Sequence, residues 1–193
     1  MLEYISGRVQ QLNPAFVVID NHGLGYFINI SLFSHSDLSE GAEAKLLVHE
    51  AIREDAHVLY GFITEGERAV FRALISVSGI GANTARVMLS KLSPAEIIAA
   101  ISTGNVTVLK SVKGIGAKSA ERVIVDLKDK IGKDVSSSDL FPSADNTVRD
   151  EALSALVMLG FQKNAIEKLF EKLLIELKGA RVEDIVKESL KRL

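Results

Sequence analysis

Apolar residues recur at two different periods along this chain, and the change of period divides it. Up to residue 63 the apolar runs are short or alternate with polar positions, which is the period of a strand. Ile5–Leu12, Phe16–Ile19, Tyr26–Ile30, Ala44–Ile52 and Val58–Phe62 are the five candidate strands. Asn13-Pro14 and Asn21-His22-Gly23 supply turn chemistry between the first three. Five short strands with no long helix among them predict a small closed barrel such as an OB-fold.

From residue 64 the spacing becomes helical. Val70, Phe71, Leu74 and Ile75 share one face. Ser93-Pro94-Ala95-Glu96 is a helix start: Ser as N-cap, Pro in the first turn, and Glu placed to close a capping box. Asn105 is placed to cap a short helix, and Ala117–Ile131 predicts a longer one. Residues 132–146 turn polar and rich in serine, which predicts a mobile linker, with Leu140 and Phe141 as a brief docking contact. Residues 147–193 predict three helices. Their stripes are Leu153, Leu156, Val157 and Leu159; then Ile166, Leu169, Phe170, Leu173 and Leu174; then Val182, Ile185, Val186 and Leu190. Gly160 stops the first, and the second ends near Gly179. A bundle this small is marginal alone and carries no catalytic residue, which suggests docking to a partner. Its Leu159-Gly160-Phe161 turn resembles the loop of ubiquitin-associated-type bundles. The expected fold is α+β and multi-domain: a five-stranded barrel over 1–63, an all-α domain over 64–134, a linker over 135–146 and a three-helix bundle over 147–193.

The helical region contains an internal repeat. Val77-Ser78-Gly79-Ile80-Gly81-Ala82-Asn83-Thr84-Ala85 returns 35 residues later as Val112-Lys113-Gly114-Ile115-Gly116-Ala117-Lys118-Ser119-Ala120. Each copy is a Gly-x-Gly turn between two helical stretches. The isoleucine between the glycines can plug the turn into the helix pair below. Backbone N–H groups then stand free at the start of the next helix, where they and the helix dipole favour an anion. Lys118 and Arg122, four residues apart on one helix face, add positive charge to the second copy. The duplicated pattern resembles the tandem helix-hairpin-helix module that grips DNA backbones without reading bases. Gly116-Ala117-Lys118-Ser119 is not a P-loop, since that loop needs Gly where Ala117 and Val112 stand. Neither copy completes Gly-x-Gly-x-x-Gly either, because Thr84 and Ser119 hold the last place.

Composition bounds the rest. The chain has 193 residues, 47% apolar and 25% charged, as in ordinary globular protein. It has no cysteine, so disulfides and thiolate metal sites are excluded and a reducing compartment, the cytoplasm, is expected. No signal-peptide pattern or membrane-length apolar run occurs. The net charge of −2 argues against a nucleic-acid binder until it is divided. Residues 1–63 hold 3 basic and 8 acidic groups, whereas 64–139 hold 11 and 8, so positive charge collects around the repeat. A surplus of three is modest, and tight binding by one subunit alone is not expected. Arg53-Glu54-Asp55-Ala56 falls at a hairpin tip, where adjacent carboxylates would repel phosphate. No cofactor, metal or catalytic residue is expected: the four histidines, at 22, 35, 49 and 57, are scattered. A DNA-processing enzyme would need a base-sized pocket with a catalytic Lys or Asp. A scaffold binding only protein would lack the salt dependence of phosphate contacts.

The whole architecture resembles the RuvA family of bacterial Holliday-junction-binding proteins. The resemblance is carried by Arg53-Glu54-Asp55-Ala56-His57-Val58-Leu59-Tyr60-Gly61-Phe62, by Gly114-Ile115-Gly116-Ala117-Lys118-Ser119-Ala120-Glu121-Arg122 and by Gly23-Leu24-Gly25-Tyr26. It implies a tetramer, or an octamer on DNA, that holds a four-way junction open for recombination and repair. The implied phosphate-binding residues are Gly79, Gly81, Asn83, Lys113, Gly114, Gly116, Lys118 and Arg122. Glu54 and Asp55 would be the acidic pin at the junction centre. Residues 147–193 would meet the ATP-driven RuvB motor, with the RuvC resolvase as a candidate further partner. ATP hydrolysis would belong to RuvB. Two positions depart from the family pattern. Asn83 stands where a lysine is common, which removes a charge, and Lys113 stands where many members have proline, which adds one.

Overall fold

The computed structural model describes residues 1–134, 144–177 and 180–192. The chain divides into two compact units, residues 1–136 and 137–193.

The first unit opens with five strands: β1 (Tyr4–Asn13), β2 (Phe16–Asn21), β3 (Leu24–Ile30), β4 (Glu43–Ile52) and β5 (His57–Phe62). They close a barrel in the order β1-β2-β3-β5-β4, antiparallel except for the β3–β5 pair. Closure depends on β1, which pairs with β4 through Tyr4–Arg8 and with β2 through Arg8–Asn13, and is irregular between Val9 and Gln11. Such an irregularity bends a strand and lets it serve two neighbours. Gly7 is required at the crossing, because a Cβ there would lie 2.1 Å from the carbonyl oxygen of Asp20. Ile5, Val9, Val17, Ile19, Ile28, Ile30, Leu46 and Val48 fill the interior. The five expected strands are all present, one or more residues longer than the apolar runs that marked them.

A four-residue helix, α1 (Leu32–His35), stands between β3 and β4, where no helix was expected. Ser31 caps it, accepting from the Ser34 N–H at 3.1 Å. Five helices follow β5: α2 (Glu65–Ile75), α3 (Ala82–Lys91), α4 (Pro94–Ser102), α5 (Val106–Lys110) and α6 (Ala117–Asp134). The Ser93–Glu96 capping box is formed on both sides, and Asn105 caps α5 through the Val108 N–H. Beside the barrel interior lies a second core, which β5 shares with the helices. Tyr60 and Phe62 of β5 pack on Phe71 of α2, with ring centroids 5.2 and 4.8 Å apart, and that cluster runs on to Val123 and Leu127 of α6.

Polar contacts lock the same seam. Glu67 on α2 is fully buried and accepts from the hydroxyls of Ser31 and Ser34, the latter at 2.6 Å. Burial pushes the Glu67 carboxyl above its ordinary range, opposed by the two hydroxyl bonds. The Leu32 N–H donates to Ser90 of α3 at 3.1 Å, so α1 touches α3 as well as α2. Arg68, 5% exposed, pairs with Glu65 and Glu3 and ties α2 to the start of the chain.

The second unit holds three helices, α7 (Ala144–Met158), α8 (Lys163–Glu176) and α9 (Val182–Arg192), as the three stripes predict. Ala152, Leu156, Ile166, Phe170, Leu173 and Ile185 form its core. Gly160 ends α7 at φ +97°, and the Phe161 N–H reaches back to the Leu156 carbonyl at 3.1 Å, a Schellman closure. Helix α7 begins inside the span read as linker. Helix α6 likewise runs into that span as far as Asp134, and residues 135–143, with Leu140 and Phe141, lie outside the described residues, as does Gly179.

Candidate nucleic-acid interface

The two Gly-x-Gly turns have the same internal bonding. In the first, the Val77 N–H reaches the Leu74 carbonyl at 3.1 Å, Ile80 reaches Val77 at 3.0 Å, and Ala85 reaches Gly81 at 2.9 Å. In the second, Val112 reaches Leu109 at 3.3 Å, Ile115 reaches Val112 at 3.1 Å, and Ala120 reaches Gly116 at 3.0 Å. Gly79 and Gly114 share φ +92°, a backbone region that side chains with a Cβ rarely adopt. The plugs are equivalent too: Ile80 is 5% exposed and Ile115 6%, both in the shared core.

All four glycines are exposed, and a Cβ added at any of them would meet nothing within 4 Å. The N–H groups of Gly79 and Gly81 and of the first α3 residues bond to no carbonyl or side chain of the described residues, and Gly81 caps α3 without a side-chain bond. The same holds for Gly114, Gly116 and the start of α6. Each turn therefore offers a small set of outward donors at a helix N-terminus, a ready seat for an anion.

Charge differs between the copies. Lys113, Lys118 and Arg122 are exposed beside the second turn. Arg122 lies 3.7 Å from Asp126 one helical turn on, an exposed pair that counters part of its charge. The first turn has Asn83 at the corresponding place, exposed, with its side-chain oxygen 2.9 Å from Arg86 Nη2. Arg86 reaches into the barrel through Nη1, to the carbonyls of Ala15 at 3.1 Å and Ile30 at 3.2 Å. Sequence reading missed Arg86 and Ser90. Their partners lie up to 71 residues away, and nothing local marks them.

Glu54 and Asp55 are the two central residues of the β4–β5 turn, closed by Arg53 N–H to Ala56 O at 2.8 Å and the reverse bond at 3.4 Å. Both are exposed. A cleft of about 200 Å³ joins this hairpin to the first glycine turn, lined by Ala51, Arg53, Ala56 and Val58 on one side and by Gly81–Thr84 on the other. The stem of the acidic hairpin and the start of α3 thus flank one depression, with Glu54 and Asp55 beyond its lining.

Family models match three stretches: RuvA N terminal domain over residues 1–61, SAM-like helix-hairpin-helix tandem over 71–129, and RuvA C-terminal domain over 147–193. The chain is 51% identical to the Holliday junction branch migration complex subunit RuvA of Bacteroides thetaiotaomicron and 50% identical to that of Bacteroides fragilis. It is 46% identical to the protein of the same name from Christiangramia forsetii. In each comparison the whole of both chains is covered.

Proposed function

The chain belongs to the RuvA family, and from that premise we propose that it binds four-way DNA junctions without regard to sequence. The observation that carries this reading is the pair of equivalent glycine turns, open to solvent and edged with unpaired N–H groups. Such donors suit sugar-phosphate strands, which look alike whatever their bases. Gly79, Gly81 and Asn83 make one grip; Lys113, Gly114, Gly116, Lys118 and Arg122 make the other.

One subunit holds an arm weakly, because its positive surplus is small. Four copies on one symmetric assembly, or eight on two faces, turn weak grips into strong binding through effective concentration. Glu54 and Asp55 stand at the crossover and repel its phosphates, which keeps the arms apart and rejects a continuous duplex running through the centre. The 147–193 unit recruits the ATP-driven RuvB motor, and RuvC is a further partner of the complex. Val157, Met158 and Leu159, which are 44%, 89% and 59% exposed at the end of α7, are an apolar contact this unit offers. The domains of the working protein are the barrel of 1–63, the hairpins of 64–134, a connection over 135–146 and the motor-binding bundle.

Lys118→Glu tests the reading. The substitution reverses an exposed charge beside the second turn, so folding is kept while junction affinity falls. The slope of log Kd against log salt drops by about one for the cation taken off the phosphates. Unchanged junction affinity refutes the placement of DNA on this turn. Mass measurement with a synthetic junction tests the assembly, and a 1:1 complex rules the multivalent hold out.

A further inference from the structure

Arg86 is costly to keep where it is. Its Nε is buried with no partner among the described residues, and an unmet charged donor weakens a fold. The rest of its guanidinium makes three bonds. Nη1 binds two carbonyls at the mouth of the barrel, on Ala15 and Ile30, and Nη2 binds Asn83 at the start of α3. Arginine only donates, so the Asn83 atom facing it must be the carbonyl oxygen. The amide nitrogen of that planar group is then turned away from Arg86, with no partner among the described residues. Asn83 is exposed and lines the cleft between the first glycine turn and the acidic hairpin.

We propose that Arg86 is a positioning residue for DNA binding: by holding the Asn83 oxygen it presents the Asn83 amide as an uncharged phosphate donor at the first turn. The inference rests on the junction-binding reading above. It gives the first turn a side-chain contact without a cation, beside the backbone N–H groups of Gly81 and Ala82. It also fastens that contact to the barrel, and so to the acidic tip on the same barrel. An ammonium at position 83 could not accept from Arg86 and would leave Nη2 unpaired.

The test measures Kd for a synthetic four-way junction across a salt series with the full chain, alongside thermal midpoints. Asn83→Ala is expected to raise Kd about tenfold, the loss of a hydrogen bond to a charged group. Its salt slope stays at the wild-type value, because no cation has been removed. Asn83→Asp keeps an acceptor for Arg86, so the fold is retained, yet it binds more weakly than Asn83→Ala. Arg86→Lys keeps the charge and loses the fork; it weakens binding in the wild-type background and adds nothing in the Asn83→Ala background.

Wild-type protein that fails to bind the junction removes the underlying reading. Wild-type binding with Asn83→Ala unchanged overturns this inference alone. An Asn83→Asp variant that binds like wild type overturns it also, since pairing with Arg86 would then be the whole role of the residue. Equal losses from Arg86→Lys in both backgrounds overturn the claim that Arg86 acts through Asn83.

Discussion

Alanine at the four turn glycines separates what the fold needs from what DNA needs. Gly81 sits at φ −83° and ψ 164°, extended backbone that any residue adopts, and Gly116 also lies outside the positive-φ region. A Cβ at either position meets open space. Gly81→Ala and Gly116→Ala should therefore stabilise by about 0.4–1 kcal/mol through the unfolded chain, raising the thermal midpoint by about 1–4 °C. Gly79 and Gly114 differ. At φ +92° a Cβ costs about 1–2 kcal/mol, which lowers the midpoint by about 2–8 °C. On DNA the order changes. The added methyl of Gly81→Ala or Gly116→Ala stands beside the outward N–H groups and holds a phosphate off them. Each lost charge-assisted bond is worth about 1.5–3 kcal/mol, so junction Kd rises by about tenfold or more. The assays are thermal melting and junction titration on the same preparations. Stable Gly81→Ala and Gly116→Ala variants that bind the junction as tightly as wild type would refute the claim that these glycines serve close approach of a phosphate.

Neutralising the tip, Glu54→Gln with Asp55→Asn, removes two exposed charges without a fold contact, so the thermal midpoint stays put. Affinity for linear duplex rises by about threefold to tenfold at low salt, and an unchanged duplex titration dismisses repulsion as the tip's role. Glu67 makes a prediction about pH. Its folded carboxyl is raised by burial above the ordinary value of 4.5, so the folded state binds the proton more tightly. The stability it contributes is complete below that value and is lost as pH rises through the folded one. Glu67→Gln removes this part of the slope, and melting curves from about pH 4 to pH 8 that run parallel for both proteins would exclude it.

Much of the first unit could be read from local pattern. Apolar runs marked all five strands, and Ser93–Glu96 and Asn105 form the caps their spacing predicts, because capping is a contact between residues three apart. The glycine turns were visible because a duplication repeats every local rule at once. Helix α1 was not, since four residues cannot display a helical period; its one signal is Ser31 followed three residues later by Ser34. Arg86 escaped for another reason. Its value lies in bonds to Ala15 and Ile30, and an arginine on an amphipathic helix otherwise reads as solvent-facing charge. The neutral oxygen of Asn83 looked like a lost cation until its partner was known.

The Ser31–Ser34–Glu67 knot bears on how the barrel meets the helices. Oily surfaces such as Tyr60, Phe62 and Phe71 adhere at many angles, because that attraction has no direction. Hydroxyls aimed at a carboxyl accept only one. The joint therefore behaves as a key in a slot rather than a greased bearing. A torque applied to the helices turns the hairpin tip with them instead of being absorbed as slip.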